Sequence, residues 1–160
     1  MAVSVGDKLP DIAVQTMTES GPQSVQTLEV LGKGKVVLFA VPGAFTPGCS
    51  KIHLPGYVQN ADELKAKGVT TIACIAVNDA WVMDAWGKAQ GVGDKVLLLA
   101  DGGGAFAKAM GLDFDGTGFG LGLRSQRYAA IVEDGIITDL QVEPKAGVDV
   151  SSCDNMLTKV

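Results

Sequence analysis

Short, continuous apolar runs recur along the chain, and they constrain its fold more than any other feature. They cover Lys35–Val41 (KVVLFAV), Thr70–Val77 (TTIACIAV) and Lys95–Ala100 (KVLLLA). Runs of this length, without polar alternation, are typical of strands that are buried on both faces. The sequence therefore predicts a central sheet whose parallel strands are covered by helices.

The segments between these runs have the spacing of amphipathic helices. Cys49–Lys67 places its apolar residues along one face, and we expect Pro55 to kink this helix. A second helix is predicted from about Asp79 to Gln90, and a short third helix over Ala105–Met110. Since such helices connect parallel strands, the predicted order is βαβαβ.

Two hairpins and a last helix are predicted outside this central part. Arg127–Val132 and Ile136–Val142 flank a Glu-Asp-Gly turn, which is a hairpin signal. The residues before Lys35 predict an N-terminal hairpin with its turn at Glu19–Pro22. A terminal helix is expected over 151–160, with Ser151 or Ser152 as its N-cap. We predict one α/β domain over residues 1–160, with a mixed sheet.

Composition excludes several classes of protein. The net charge is −5 and no basic stripe is present, so nucleic-acid binding is not expected. The chain has no apolar run of the roughly 20 residues that a transmembrane helix needs, and its start does not resemble a secretory signal. Its three cysteines, Cys49, Cys74 and Cys153, are odd in number and widely spaced, which indicates free thiols in a reducing compartment. We expect a cytoplasmic protein.

The loop PGAFTPGCS carries the strongest chemical signal. It leaves a predicted buried strand and places Cys49 in the first turn of a helix, where unpaired amides and the helix dipole favour a thiolate. Thr46 can turn its hydroxyl toward the sulfur. Inert burial of Cys49 is the alternative, and the polar loop disfavours it. Disulfide exchange of the thioredoxin type lacks its second cysteine, because position 52 is Ile52.

Other residues carry weaker signals. His53 lies four residues after Cys49, so the two can share a helix face and form a Cys–His pair. The glycine-rich segments 102–104 and 116–122 suggest nucleotide binding only weakly, since we expect no strand over LDFD (112–115) and no helix follows. A flexible loop at a pocket mouth is the preferred interpretation. No zinc-ligand spacing is present, and we expect neither a metal nor an organic cofactor.

PGAFTPGCS resembles the active-site motif of the peroxiredoxins, most closely of their type II (atypical) group. SKIHLPGY, ACIAVNDAWVMDAW, GLGLRSQRYA and VEDGIITDLQVEP are similar to the same group, so the resemblance runs from Gly6 to Leu157. It implies a thioredoxin-like fold with an N-terminal extension. It also implies a thiol-dependent peroxidase that reduces hydrogen peroxide and alkyl hydroperoxides, assembled as a homodimer.

The resemblance assigns roles to residues of the loop and of the predicted C-terminal strands. Cys49 is the expected peroxidatic cysteine, which becomes a sulfenic acid. Pro42 shields the sulfur, and Thr46 hydrogen-bonds the peroxide. Arg127 stabilises the thiolate and the charge that develops along the O–O bond. A supporting role is implied for His53, a supporting or interface role for Arg124, and a pocket rim or dimer contact for Phe45 and Phe119.

The thiol that reduces the sulfenic acid is left open. Cys74 lies within an apolar run, which favours a structural role. Cys153 lies three residues beyond Val150, where two-cysteine relatives carry their resolving cysteine. We therefore expect an external reductant, glutathione with glutaredoxin or else thioredoxin, and place resolution by Cys153 second. The rival functions are a peroxide sensor or chaperone-like protein without efficient turnover, and a thioredoxin-fold disulfide reductase.

Overall fold

A mixed seven-stranded sheet forms the centre of the computed structural model, which describes all residues from Met1 to Val160. Its strands run in the order β2-β1-β5-β4-β3-β8-β9, and β6 and β7 form a separate two-stranded ribbon. The strands are β1 (Ala13–Thr18), β2 (Gly21–Gln26), β3 (Lys35–Ala40), β4 (Val69–Ala76), β5 (Leu97–Ala100), β6 (Asp113–Asp115), β7 (Leu123–Ser125), β8 (Tyr128–Glu133) and β9 (Ile136–Val142).

Six α-helices, one π-helical turn and one 3₁₀ turn lie between or after these strands. The helices are α1 (Thr27–Leu31), α2 (Leu54–Gln59), α3 (Ala61–Ala66), α4 (Ala80–Ala89), α5 (Ala105–Met110) and α6 (Cys153–Leu157). A π-helical turn covers Cys49–His53, and a 3₁₀ turn covers Thr117–Phe119. None of the helices combines the length and the apolar character that crossing a bilayer requires.

The central strands are apolar throughout because both of their faces are buried. β3 pairs in parallel with β4 and antiparallel with β8, so it lies inside the sheet. Val37 and Phe39 of β3 face one side, while Val36 and Leu38 face the other. We call the first side the cysteine face, because its buried cluster contains Cys49, Cys74 and Cys153 together with residues of α2, α3, α4 and α6. The second side, the opposite face, is covered by α1, α5 and the N-terminal segment.

The predicted elements are confirmed with shifted ends. β9 has the predicted bounds, and the N-terminal hairpin turns where expected. The third apolar run becomes a strand only from Leu97, because Lys95 and Val96 lie in the preceding turn. β8 begins at Tyr128, one residue later than predicted. The last helix is shorter than expected, and its N-cap is Ser152, whose hydroxyl accepts from the Asn155 amide at 3.2 Å.

The prediction of one helix from Cys49 to Lys67 is wrong in its details. Pro55 stands at the start of α2, and the distortion before it takes the form of the π-helical turn, in which the Leu54 amide bonds to the Cys49 carbonyl. The chain breaks instead at Asn60, whose side-chain amide donates to the Gly56 carbonyl at 2.8 Å. The Asn60 backbone amide donates to the same carbonyl at 3.2 Å, so both groups of Asn60 bind the last turn of α2 before α3 begins at Ala61.

The β6–β7 ribbon was not predicted. It pairs Asp113 with Ser125 and Asp115 with Leu123, so the expectation that the LDFD segment forms no strand is wrong. Three-residue strands are too short to show a periodic pattern, and this one has two aspartates. A 3₁₀ turn follows the strand rather than a helix that would bind a phosphate.

The N-terminal hairpin is joined to the rest of the sheet by little backbone pairing. Only Gln15 and Ala100 pair between β1 and β5, and the Thr16 hydroxyl donates to the Leu98 carbonyl at 3.1 Å. Beyond this point the two strands diverge. A cleft of about 810 Å³ opens between β1, α4 and β5.

Candidate active site

The loop after β3 delivers Cys49 into the first turn of a helix, as predicted. Helical hydrogen bonding begins at Pro47, and the Thr46 carbonyl accepts from the Ser50 amide at 2.9 Å. Proline suits this first helical position, since its missing N–H would have no partner there. Cys49 is therefore close to the end of the helix whose partial charge is positive.

Hydrogen bonds within the loop fix its unusual backbone. Phe45 has a φ of +64°, in the left-handed region that a bulky residue rarely adopts. The Ala44 amide donates to the Asn78 side chain at 3.0 Å. The Thr46 hydroxyl donates to the Gly43 carbonyl at 2.6 Å and so does not give its proton to the Cys49 sulfur. Its oxygen keeps lone pairs with which to accept a hydrogen bond from a substrate.

Arg127 is brought to the Cys49 sulfur from the other side of the site. It stands just before β8, and its Nη2 donates to Cys49 Sγ at 3.2 Å. Cys49 has no exposed surface, so this permanent positive charge meets the sulfur away from bulk water. A Cβ added at Gly48 would lie 3.2 Å from Nη2, which shows how closely the helix start packs on the guanidinium.

His53 contacts Arg127 rather than Cys49. Arg127 Nη1 lies 2.8 Å from His53 Nδ1, and His53 Nε2 lies 3.0 Å from the Ser151 carbonyl oxygen. Since a guanidinium can only donate and a carbonyl can only accept, Nδ1 is the acceptor and Nε2 carries the proton. Burial, and then the charge of Arg127, lower the pKa of His53 to about 3. The imidazole is neutral at pH 7, and no Cys–His hydrogen bond exists.

Glu143 and Ser151 extend this network; the sequence analysis assigned neither of them to the site and considered Ser151 only as a helix N-cap. One carboxylate oxygen of Glu143 accepts from the Asp149 amide at 2.8 Å, the Ser151 amide at 2.8 Å and the Ser151 hydroxyl at 2.6 Å. The backbone carbonyl of Ser151 accepts from Tyr57 at 2.7 Å as well as from His53. A Glu followed eight residues later by a Ser is not a motif, so no sequence signal pointed to the pair.

Arg124 holds the loop and does not touch the sulfur. Its Nη1 donates to the carbonyls of Pro42 and Val77, both at 3.3 Å, and its Nε donates to the Leu121 carbonyl at 2.9 Å. A Cβ at Gly43 would lie 2.9 Å from the same Nη1. Arg124 thus ties the start of the cysteine loop to the ends of β4 and of the glycine-rich loop.

Large apolar side chains are exposed on two loops and at the start of α4. Phe45 is 56% exposed, Phe119 84% and Trp81 66%. Exposed aromatic residues of this size are uncommon on a monomer surface and are typical of contact surfaces. The two phenylalanines predicted as a rim or a dimer contact are therefore free to contact another molecule.

The two other thiols are buried and unpaired. Cys74 lies in the middle of β4 with no exposed surface, and burial raises the pKa of its thiol well above the ordinary value. Cys153 begins α6 and is packed near Gly56 of α2. Burial, followed by the nearby Asp154 and Glu63, raises the pKa of Cys153 to about 12. All three cysteines are free. No group of three or more His, Cys, Asp or Glu side chains is placed to hold a metal ion.

Comparison with known proteins gives consistent results. The sequence model of the Redoxin family matches residues 4–157. Peroxiredoxin-2E, chloroplastic, of Arabidopsis thaliana is 47% identical over 160 residues, which cover 98% of this chain and 68% of the relative.

Two solved structures that this chain resembles are also peroxiredoxins. Reduced Prx3 of Vibrio vulnificus in complex with hydrogen peroxide has a TM-score of 0.94 and 50% identity over 98% of both chains. Peroxiredoxin 5 of Alvinella pompejana has a TM-score of 0.86 and 37% identity, covering 98% of this chain and 96% of its own.

These similarities confirm the expected thioredoxin-like fold and decide between the functions considered above. They favour a peroxidase with turnover, and nothing among them favours the sensor or chaperone-like alternative. The chain belongs to the peroxiredoxins and is a thiol-dependent peroxidase.

Proposed function

We propose that Cys49 is the peroxidatic cysteine and that its substrates are hydrogen peroxide and small alkyl hydroperoxides. The thiolate attacks one peroxide oxygen, so an S–O bond forms while the O–O bond breaks. The departing hydroxide or alkoxide takes a proton and leaves as water or alcohol. Cys49 is oxidised to a sulfenic acid as the peroxide is reduced by two electrons.

The observation that carries this proposal is the 3.2 Å contact between Arg127 Nη2 and Cys49 Sγ. A guanidinium in this position stabilises the thiolate and then the negative charge that grows on the leaving oxygen. The Thr46 hydroxyl, whose proton is committed to Gly43, is free to accept from the O–H of the peroxide. Pro42 is the first residue of the PGAFTPGCS loop and is half-buried, and Arg124 donates to its carbonyl. In this proposal the proline ring limits the access of water to the sulfur.

We propose that an external thiol reduces the sulfenic acid, either glutathione with glutaredoxin or thioredoxin. Attack by glutathione releases water and leaves a mixed disulfide, which a second thiol reduces to regenerate Cys49. The burial of Cys74 within β4 and of Cys153 under α2 supports this route, as do their raised pKa values. Resolution by Cys153 would require the start of α6 to leave its packed position.

A homodimer is part of the proposal, with Phe45 and Phe119 at the contact. Their exposure on two loops at the mouth of the site supports this arrangement. We also propose that the protein works in a reducing compartment such as the cytoplasm, which the three free thiols support. Sedimentation equilibrium of the wild type and of Phe119→Ser tests the dimer, which the substitution should weaken.

The first test is intact mass and peptide mapping after one equivalent of hydrogen peroxide, without added thiol. Oxidation confined to Cys49, with Cys74 and Cys153 still free, would support a sulfenic acid that waits for an external reductant. A Cys49–Cys153 or Cys49–Cys74 disulfide would replace the external route by an internal one. Absence of oxidation at Cys49 would contradict the assigned nucleophile.

A further inference from the structure

A closed circuit of hydrogen bonds runs through Arg127 and returns to it. The side chain of Arg127 donates to His53 Nδ1 at 2.8 Å, and His53 Nε2 donates to the Ser151 carbonyl at 3.0 Å. Ser151 donates to the Glu143 carboxylate through its amide at 2.8 Å and its hydroxyl at 2.6 Å. The backbone amide of Glu143 then donates to the backbone carbonyl of Arg127 at 3.0 Å. Glu143 is thereby connected to both ends of the same arginine.

The carboxylate is what orders the segment before α6. The chain from Glu143 to Ser152 contains no helix or strand, so its amides need partners from elsewhere. One Glu143 oxygen accepts from the Asp149 amide as well as from both Ser151 donors. Desolvation acts to raise the pKa of Glu143, but the hydrogen bonds from Ser151 and Asp149 prevail and the pKa is lowered. The network therefore holds the ionised form.

The Ser151 carbonyl, once placed, decides which nitrogen of His53 is protonated. It points at Nε2 and also accepts from the Tyr57 hydroxyl at 2.7 Å. An acceptor at Nε2 holds the proton there, which leaves the Nδ1 lone pair to accept from Arg127. In the other tautomer, an N–H at Nδ1 would oppose the Arg127 N–H, and the guanidinium would turn away from the sulfur.

We propose that Glu143 is a positioning residue for the peroxidase reaction. Through Ser151 it fixes the tautomer of His53, and His53 fixes the guanidinium of Arg127 on Cys49. Glu143 does not touch the sulfur or the peroxide. This inference depends on the proposed roles of Cys49 and Arg127, and the experiments below separate a failure of those roles from a failure of Glu143.

The kinetic test compares Glu143→Gln with Glu133→Gln, its matched control at the exposed end of β8. We expect Glu143→Gln to lower the rate constant for hydrogen peroxide about tenfold, because a misplaced catalytic group costs one to two orders of magnitude. Alkylation by iodoacetamide, corrected for the thiolate fraction that its pH profile measures, develops no charge on a leaving oxygen and should change by less than about threefold. Glu133→Gln should match the wild type in both reactions.

The spectroscopic test uses His53, which is the only histidine of the chain. Long-range ¹H–¹⁵N correlation at neutral pH should show the wild-type ring protonated at Nε2 alone. Glu143→Gln should give a mixture of the two tautomers, whereas Glu133→Gln should not. A purely structural role would lower thermal stability and leave the tautomer unchanged.

A double-mutant cycle tests whether Glu143 acts through His53. In a His53→Leu background, Glu143→Gln should have little further effect on the peroxide rate, since the connection is already broken. Unchanged rate and tautomer in Glu143→Gln would overturn the inference, as would full additivity with His53→Leu. If Glu143→Gln does not fold, Glu143→Asp replaces it, because the shorter side chain keeps the charge but withdraws the carboxylate from all three donors. An unchanged rate and tautomer in Glu143→Asp would then overturn the inference.

Arg127→Lys separates a failure of the proposed function from a failure of the role of Glu143. A normal peroxide rate in Arg127→Lys would contradict the proposed function itself. A slow Arg127→Lys together with a normal Glu143→Gln would contradict only the role of Glu143.

Discussion

The two faces of the sheet are built from the same strands but differ in chemistry. On the cysteine face, three thiols share a buried cluster with Tyr57, and His53 and Arg127 border it. On the opposite face, β3, β4 and β8 present only apolar side chains and Tyr128 to α1, α5 and the N-terminal segment. The cysteine face places a thiol next to a guanidinium, whereas the buried polar side chains on the side of α1 and α5, Thr27 and Asp101, bind only backbone groups.

The proposed function requires that two equally buried thiols of the cysteine face differ in reactivity. Cys49 and Cys74 are equally buried, and each lies against the same apolar cluster. Cys49 has the Arg127 guanidinium at 3.2 Å and a helix start beneath it, while Cys74 lies within a strand and has no polar partner. The charge and dipole placed next to the sulfur distinguish the two, and the following predictions test this difference in order of decreasing effect.

The largest effect on peroxidase activity is expected from replacing the Cys49 thiol. Cys49→Ser should lower peroxidase activity by at least about a thousandfold, the scale expected for loss of a nucleophile. Cys74→Ala and Cys153→Ala should retain activity within severalfold when an external thiol is supplied. Steady-state peroxide consumption with glutathione and glutaredoxin, or with thioredoxin, measures all three. Loss of activity in Cys153→Ala with an intact fold would indicate internal resolution.

Arg127→Lys should have the next largest effect. Lysine replaces the two forked nitrogens, Nη1 on His53 Nδ1 and Nη2 on Cys49 Sγ, by one ammonium nitrogen on a flexible chain. We expect the peroxide rate constant to fall about a hundredfold, the scale for losing one preorganised donor to a developing oxyanion. Stopped-flow fluorescence can follow the reaction, because Trp86 donates to the Ser50 hydroxyl next to Cys49 at 2.9 Å. Arg124→Lys is the matched control and should alter stability more than the chemical step.

His53 should make the cysteine face sensitive to acid. Its pKa is about 3 in the folded protein, below its ordinary 6.5, so the unfolded chain binds a proton that the folded chain rejects. Between pH 6.5 and 3 the free energy of unfolding should therefore fall with falling pH, by up to about 1.4 kcal/mol per pH unit. Urea unfolding at several pH values measures this slope. His53→Gln, which does not titrate, should show a smaller slope, and equal slopes would contradict the assignment.

Gly48→Ala should displace the guanidinium by a small amount. The added Cβ would lie 3.2 Å from Arg127 Nη2, closer than an ordinary contact, so the side chain must shift. We expect the peroxide rate constant to fall about threefold to tenfold, since placement errors well under 1 Å suffice for that. Gly118→Ala, where a Cβ meets no atom within 4 Å, is the matched control. Equal rates in the two variants would show that Arg127 tolerates displacement.

The smallest effect is expected on the free energy of unfolding, when each of the two fully buried tyrosines is replaced by phenylalanine. The Tyr128 hydroxyl on the opposite face has no hydrogen-bond partner, whereas Tyr57 donates to the Ser151 carbonyl. Tyr128→Phe should raise the free energy of unfolding by about 1 kcal/mol, because it removes an unsatisfied buried group. Tyr57→Phe should lower it by a similar amount. Denaturant unfolding measures both, and destabilisation by Tyr128→Phe would show that its hydroxyl has a partner in solution.

The strands of the sheet could be predicted because burial on both faces leaves a simple pattern. β3, β4 and β9 follow the apolar runs closely, and the Asp-Gly turn gave the C-terminal hairpin. The β6–β7 ribbon escaped prediction because its strands are short and partly acidic. The π-helical turn before Pro55 and the break at Asn60 interrupt an otherwise good helical pattern, and no periodic signal in the sequence marks either of them.

The cysteine loop and the arginine were identifiable from motifs, but the network behind them was not. Cys49, Thr46 and Arg127 lie in segments that resemble a known active site. The position of His53 four residues after Cys49 suggested a direct pair, whereas the π-helical turn places it against Arg127. Glu143 and Ser151 meet only because a loop without regular structure folds back on β9, and no local pattern encodes that contact.

The sparse backbone pairing between β1 and β5 has a consequence for local unfolding of the N-terminal hairpin. One residue pair and one hydroxyl bond hold the N-terminal hairpin to the central strands on that side, with a wide cleft beside them. Segments with few cross-links open without global unfolding. We expect amide hydrogens of β1 and β2 to exchange with deuterium before those of β3, β4 and β8. The hairpin would then be the first part of the sheet that a protease reaches, while the active site stays folded.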